Sequence, residues 1–431
     1  MIKAFKYIAV ISILFNTLST FSQSTTSSPY SKFGLGDLNG SLLPQNKSMG
    51  GISMGLRKLG TYSTLNITNP ASYSSIELTT FDLGTSANFN QLSTNSASDN
   101  SLNISLSHIA FGIPLNKKSA LSFGLLPYSR IGYQYKSSST IANTSTPVDY
   151  IYSGDGGLSK AYLGYGRSLS PNLSIGTNVS YLFGNLKQNK SAEFPQDAQS
   201  LNSRQQANTS ANGLSLDYGI QYIIYTQKKS TITIGYAGAI TSKLNATSSI
   251  TNTIYRTDLT GNESASLGSP YTVADVSNQL SIPMTQTIGF VFQRANKFLV
   301  GVDLSYSQWS KFQQGTTNPG LNDSYTIAAG GQITPDANAI SDYFKCVDYR
   351  FGLKYNKSYV NINNNNIDQY AFAFGLGLPL APNRLAFYKI NFSTEIGKRG
   401  TLNDGLVREN YVNFSLGFTV NDKWFIKPKF D

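Results

Sequence analysis

Long runs of strict two-residue alternation constrain this chain more than any other feature. Val412, Phe414, Leu416, Phe418 and Val420 alternate with Asn413, Ser415, Gly417 and Thr419. Tyr370, Phe372, Phe374, Leu376 and Leu378 alternate with Ala371, Ala373, Gly375 and Gly377, and the pattern recurs over 173–183, 214–222, 232–240, 300–306, 349–355 and 390–396. Successive strand residues point to opposite faces, so each run presents one aromatic and aliphatic face and one small or polar face. A single such strand could line a soluble sandwich. Length decides between the two: many runs reach about 9–11 residues, the span of a tilted membrane-crossing strand, against about 5–6 for an ordinary soluble strand.

The connections agree. Short polar turns stand at Asn116-Lys117-Lys118-Ser119, Ser170-Pro171-Asn172, Gln227-Lys228-Lys229-Ser230 and Arg294-Ala295-Asn296-Lys297. Between them lie Ser/Thr/Asn-rich stretches, 187–210 and 243–278, which read as long external loops. Short turns at one end and long loops at the other mark a bacterial outer-membrane barrel. Strands are predicted at 78–90, 101–113, 119–137, 147–168, 172–187, 210–226, 230–242, 280–293, 298–311, 322–333, 342–356, 369–380, 385–397 and 408–420. Both ends of such a barrel lie on one side, so the count must be even; the weak candidate 325–333 completes it and leaves Pro335 in a turn. The expectation is an all-β fold, a transmembrane antiparallel β-barrel of about 14 strands over residues 77–420.

Composition permits this. Hydrophobic residues make up 40% and the mean hydropathy is -0.20, so beyond the N-terminus no run of about 20 apolar residues could form a spanning helix. Lys3 and Lys6, the apolar stretch 7–18 and Thr20-Phe21-Ser22 read as a signal peptide over 1–22, implying export to the outer membrane of a Gram-negative cell. Cys346 is the only cysteine, so no intrachain disulfide can form. The net charge of +11 is scattered, which suits outer-membrane lipid and lipopolysaccharide rather than nucleic acid.

The stretch 23–76 breaks the alternation, with seven glycines (34, 36, 40, 50, 51, 55 and 60) and Pro29, Pro44 and Pro70. Irregular backbone cannot face lipid, so this segment is expected in the periplasm or inside the lumen as a plug. Residues 421–431 form a short C-terminal tail.

Met49-Gly50-Gly51-Ile52-Ser53-Met54-Gly55, then Asn69-Pro70-Ala71-Ser72 before the first strand, resembles the N-terminal hatch of FadL-type outer-membrane transporters. Ser307-Gln308-Trp309-Ser310-Lys311-Phe312, Tyr325-Thr326-Ile327-Ala328-Ala329-Gly330-Gly331 and Tyr349-Arg350-Phe351-Gly352 resemble that family's later strands. The resemblance implies a 14-stranded barrel, a lumen hatch carrying Gly50, Gly51, Asn69, Pro70 and Ala71, and uptake of long-chain fatty acids or other hydrophobic molecules. It also implies lateral exit at a kink in the third strand. Pro127 and Gly132 lie there, and mark either a side opening or a bulge without transport significance. The external loops do not match the family residue by residue, and the chain runs past its last strand.

Little else suggests chemistry. His108 is the only histidine and sits where the alternation changes phase, which points to a bulge. Cys346 reads as an inert thiol on the polar face of its strand. Gly154-Asp155-Gly156-Gly157 reads as strand flexibility, with calcium binding left open. No enzyme activity, cofactor or metal is expected. By parity Asp217, Asp303, Asp348, Arg350, Lys354, Lys389 and Glu395 point inward. They form either lumen salt bridges that hold the hatch or a polar path in which Arg130, Arg350 or Lys354 meets an acidic head group. The leading expectation is a FadL-like passive transporter for small hydrophobic molecules with a hatch gate. The alternative is a non-transporting barrel that partners a secretion-system protein in outer-membrane protein secretion or assembly.

Overall fold

The computed structural model describes residues 27–424, apart from 61–62, 142–145, 196, 198, 227–228, 259–261, 340 and 381–385. The expected signal peptide (1–22) and the last residues of the tail lie outside the described residues.

Alternating sequence becomes a wall of long strands. Running up and down in turn are β1 (Thr79–Ser93), β2 (Ser98–Asn116), β3 (Ser119–Thr140), β4 (Pro147–Ser168), β5 (Leu173–Glu193) and β6 (Asn202–Thr226). Next come β7 (Ser230–Ala239), β8 (Ser242–Tyr255), β9 (Tyr271–Ile282) and β10 (Thr285–Arg294). The ring continues through β11 (Phe298–Ser307), β12 (Ser324–Ile333), β13 (Asp348–Ile362), β14 (Asn365–Pro379), β15 (Ala386–Arg399) and β16 (Arg408–Asp422). β7 and β8 both pair with β6, and β9 and β10 pair back on β8 and β7. Each couple is therefore one wall strand interrupted once, the second at Pro283, whose missing N–H cannot serve a ladder. β16 pairs with β1 from Arg408↔Ser93 to Asp422↔Thr79 and closes a 14-strand antiparallel barrel.

The two faces differ as the alternation demands. Ile104, Leu214 and Leu353 are 71%, 65% and 60% exposed on the outside, while Gly, Ser, Asn and charged residues turn inward. An apolar band this continuous has the character of a lipid-facing surface.

Three expectations are corrected. Much of 187–210 and 243–278 is strand rather than loop, in β5, β6, β8 and β9. These strands rise past the apolar band, where both faces can be polar; hairpin pairing satisfies the backbone, and contacts such as Thr209–Ser248 (2.8 Å) join the side chains. The strand expected from 342 starts at Asp348. Cys346 accordingly lies in a one-turn helix, Tyr343–Cys346, and its thiol donates to the Ala339 carbonyl (3.2 Å). At His108, by contrast, the phase change is the expected bulge, with Gly84 opposite His108 and Thr85 opposite Leu106.

Candidate functional site

Residues 27–60 and 63–76 run through the inside of the ring. Glycines in the inward phase of the wall provide the space. A Cβ on Gly235 would lie 2.0 Å from the Met54 carbonyl oxygen, one on Gly352 2.1 Å from the Gly50 nitrogen, and one on Gly219 2.1 Å from Asn69 Oδ1. The segment turns sharply at Gly50 and Gly51, whose φ angles of 71° and 99° favour glycine. Asn69 starts the 3₁₀ turn Pro70–Ser75 by accepting from the Ala71 N–H (3.1 Å) and ties back to Met54 by donating to its carbonyl (2.9 Å). Ala71 is fully buried.

Charged and amide side chains pin this segment. Asp303 on β11 accepts from the backbone N–H groups of Ser53 (2.6 Å) and Met54 (2.9 Å). Arg57 donates to Ser174 Oγ (3.0 Å) and Gln221 Oε1 (2.9 Å), and burial pushes its guanidinium down to about 10. Gln221 also donates to the Met54 carbonyl (2.7 Å). Arg57 and Gln221 escaped the sequence reading. Gln221 stands in the inward phase of an alternating run, which was the available signal.

The remaining inward charges form closed groups. Asp348 accepts from Arg350 (2.9 Å), Lys389 (2.5 Å) and Thr334 (2.7 Å), and Arg350 also donates to Gln332 and Asn391, both at 2.8 Å. Lys354 pairs with Glu395 (2.8 Å), and Asp217 with Lys160 (2.5 Å), a lysine that the glycine-rich run 154–157 hid from phase assignment. Arg350 is 1% exposed and committed to its network. Lys354 and Arg130 face a chamber of about 560 Å³, which also touches Lys47, Asn88, Ser305 and Glu395. No ion pair of Lys47 occurs among the described residues, and burial pushes its ammonium down to about 8.

The wall has a seam. β2 pairs with β3 only from Ile109↔Leu125 to Asn116↔Ser119. Beyond Pro127, β3 bulges at Tyr128 (Pro127 faces Ser159 and Ser129 faces Leu158), while Gly156 and Gly157 opposite take φ angles of 108° and 156°. There β3 pairs instead with the N-terminal segment. Asp37 faces Arg130, Asn39 N–H donates to the Tyr128 carbonyl (2.9 Å), and Ser28 N–H donates to the Gly132 carbonyl (2.8 Å). Pro127 and Gly132 thus belong to one seam. A cleft of about 940 Å³ opens beside it between Leu106, Leu125, Pro127 and Gly154; Ser28 and Arg130 line both cleft and chamber. Arg130 bridges the seam by donating to the Leu106 carbonyl (3.1 Å).

Apolar packing fills the mouth at the loop end. One buried cluster unites Ile131, Leu158 and Leu182 of β3–β5, Leu280 of β9, Trp309, Phe312 and Tyr359, with Tyr30 and Leu35 of the N-terminal segment. Trp309 stacks on Tyr359 at 4.5 Å between ring centroids. β3–β5 and β13 lie on opposite sides of the ring, so the cluster joins facing walls.

Solved structures of low identity share this fold. A Pseudomonas aeruginosa FadL homologue is 12% identical, with 90% of this chain and 99% of that chain covered at a TM-score of 0.61. The Pseudomonas putida toluene transporter TodX is 16% identical (91% and 100% covered, TM-score 0.56), and the CymD monoaromatic hydrocarbon channel 14% (91% and 99%, 0.56). No curated protein matches. The sequence itself, over residues 1–431, matches the family described as BamG. The architecture is thus shared with FadL-type barrels, and by sequence the chain belongs to the BamG family.

Proposed function

We propose that this protein is an outer-membrane barrel that works by contact with another protein in outer-membrane protein secretion or assembly, with its own lumen kept shut. The observation that carries the reading is the double filling of the lumen, by the pinned segment 27–76 and by the apolar cluster across the mouth. Parting the facing walls would re-expose at least six large apolar side chains at roughly 1.5–3 kcal/mol each, a barrier on the order of 10 kcal/mol. A passively diffusing solute does not supply that. The chamber left inside carries Ser, Asn and charged side chains among Leu38, Leu42, Tyr128, Trp309 and Tyr359. The outer apolar band and the secretory character of residues 1–22 support placement in an outer membrane. The test is purification of the full chain from its own membranes, followed by reconstitution. A stoichiometric protein partner and no flux of small hydrophobic molecules are expected; flux without a partner would refute the reading.

A second reading is favoured by the seam: a conduit for small hydrophobic molecules, fatty acids among them, in which Gly50, Gly51, Asn69, Pro70 and Ala71 belong to a hatch. Lateral exit would then lie near Pro127 and Gly132, with Arg130 or Lys354 meeting an acidic head group. Solved barrels of this fold carry the names toluene transporter and monoaromatic hydrocarbon channel. Uptake measured with and without residues 23–76 tests it. Identical rates would eliminate the hatch.

A further inference from the structure

We propose that the gap between β2 and β3 receives an extended strand of a partner protein, which pairs with the free edge of β2. This deepens the partner reading above and rests on it. Residues 98–106 of β2 pair on one side with β1, from Ser93↔Ser98 to Thr85↔Leu106. On the other side no backbone of any described residue pairs with them; side chains alone reach this stretch, Arg130 donating to the Leu106 carbonyl (3.1 Å), Asn103 donating to Ser27 Oγ (3.2 Å) and Asp99 Oδ1 accepting from the Asn100 N–H (2.9 Å). In an antiparallel strand the N–H and C=O of one residue point the same way and alternate from residue to residue. The carbonyl of Leu106 faces the gap, so the backbone groups of Ile104, Leu102 and Asn100 face it too.

This edge lies within the lipid band. Leu102, Ile104 and Leu106 are 54%, 71% and 42% exposed on the outer face. Leu102 stands opposite Phe89, Phe89 opposite Val412, and Val412 opposite Ile396, so one apolar row runs through it. Unpaired backbone at this depth is strongly disfavoured. The wall cannot heal itself, because the facing edge of β3 is bent away at Tyr128 and already paired with Asp37, Leu38 and Asn39. Only another extended main chain offers alternating donors and acceptors at strand spacing. The neighbouring side chains set its pattern: apolar residues outward beside Leu102 and Ile104, small polar residues inward beside Ser101 and Asn103. The cleft of about 940 Å³ has room for several extended residues.

The test uses the full-length protein in its native membrane. A photo-crosslinking residue is placed at Ile104, with a control at Ile396 in the same apolar row. Amide exchange is measured on the complex and on the purified chain alone. Expected are adducts at position 104, absent at 396, that map to one extended segment of one partner protein. The amides of Asn100, Leu102, Ile104 and Leu106 should exchange at least tenfold more slowly in the complex. Leu102→Pro, which removes a gap-facing donor, should abolish the adduct, while Leu102→Ala keeps it; heat-modifiable migration confirms that both fold. Adducts with lipid alone or with a second copy of this chain overturn the proposal. So does equal protection of these amides in the purified chain, which would mean that the chain covers its own edge. A stoichiometric partner with these four amides unprotected sinks the strand proposal and spares the partner reading, whereas no partner at all sinks both.

Discussion

Replacing Asp303 by alanine isolates one charged link between wall and N-terminal segment. The carboxylate is 5% exposed and accepts from two backbone N–H groups and from Ser53 Oγ (3.2 Å). A hydrogen bond to a charged acceptor contributes about 1.5–3 kcal/mol, and removing the acceptor leaves both N–H groups buried without a partner. One carboxylate oxygen, Oδ1, has no partner among the described residues, so relief of its burial offsets part of the loss. The net cost to the docked segment is about 2–4 kcal/mol. At roughly 1.4 kcal/mol per tenfold, local opening around Ser53 and Met54 should increase on the order of 100-fold. Amide exchange over residues 49–56 in the folded barrel reads this directly. Asp303→Asn, which keeps one acceptor, should fall between alanine and wild type. Asp348→Asn, whose partners all lie in the wall or its connections, should leave these amides unchanged. Exchange in the alanine variant within about threefold of wild type would refute the claim that Asp303 holds the segment.

Three further outcomes follow from the same contacts. Gly235→Val places a side chain where the Met54 carbonyl sits, so it should expel residues 53–55 and raise their protease sensitivity while the barrel still forms, as heat-modifiable migration would report. Trp309→Ala removes a buried indole from the mouth and should lower stability by about 3–5 kcal/mol, visible as a lower unfolding midpoint together with new conductance in a planar bilayer. Lys47 titrates at about 8 when docked but at the ordinary lysine value of about 10.5 when free, so the undocked segment holds more protons between these limits. Docking should therefore strengthen as pH rises from 8 to 10.5; Lys47→Met should flatten that dependence in the exchange of residues 44–51.

The wall was legible because an outward apolar band imposes a two-residue period, and the strand count followed from parity. Polar extensions such as 202–212 and 242–255 carry no apolar period, so their pairing is written only in each other. Pro127 announced the bulge, but nothing local shows that residues 28–39 replace β2 beside it. The inward phase located Asp303 and Arg350, whereas their partners stand far off in the chain: Asp303 holds Ser53 across 250 positions, and Arg57 reaches Gln221 across 164. Contacts of that range leave no spacing to read.

The enclosure of residues 27–76 has a consequence for how the molecule is built. The segment is synthesised before every wall strand, yet its binding surfaces come from β3, β6, β11 and β13, which exist together only once the ring is nearly complete. β1 and β16, the strands that meet at the closing seam, lie at opposite ends of the wall sequence. The barrel must therefore curl around the segment, or receive it from the turn end, before the last ladder zips shut. A glycine notch filled by mutation would then slow closure more than it weakens the finished barrel, and the defect would register as an assembly rate.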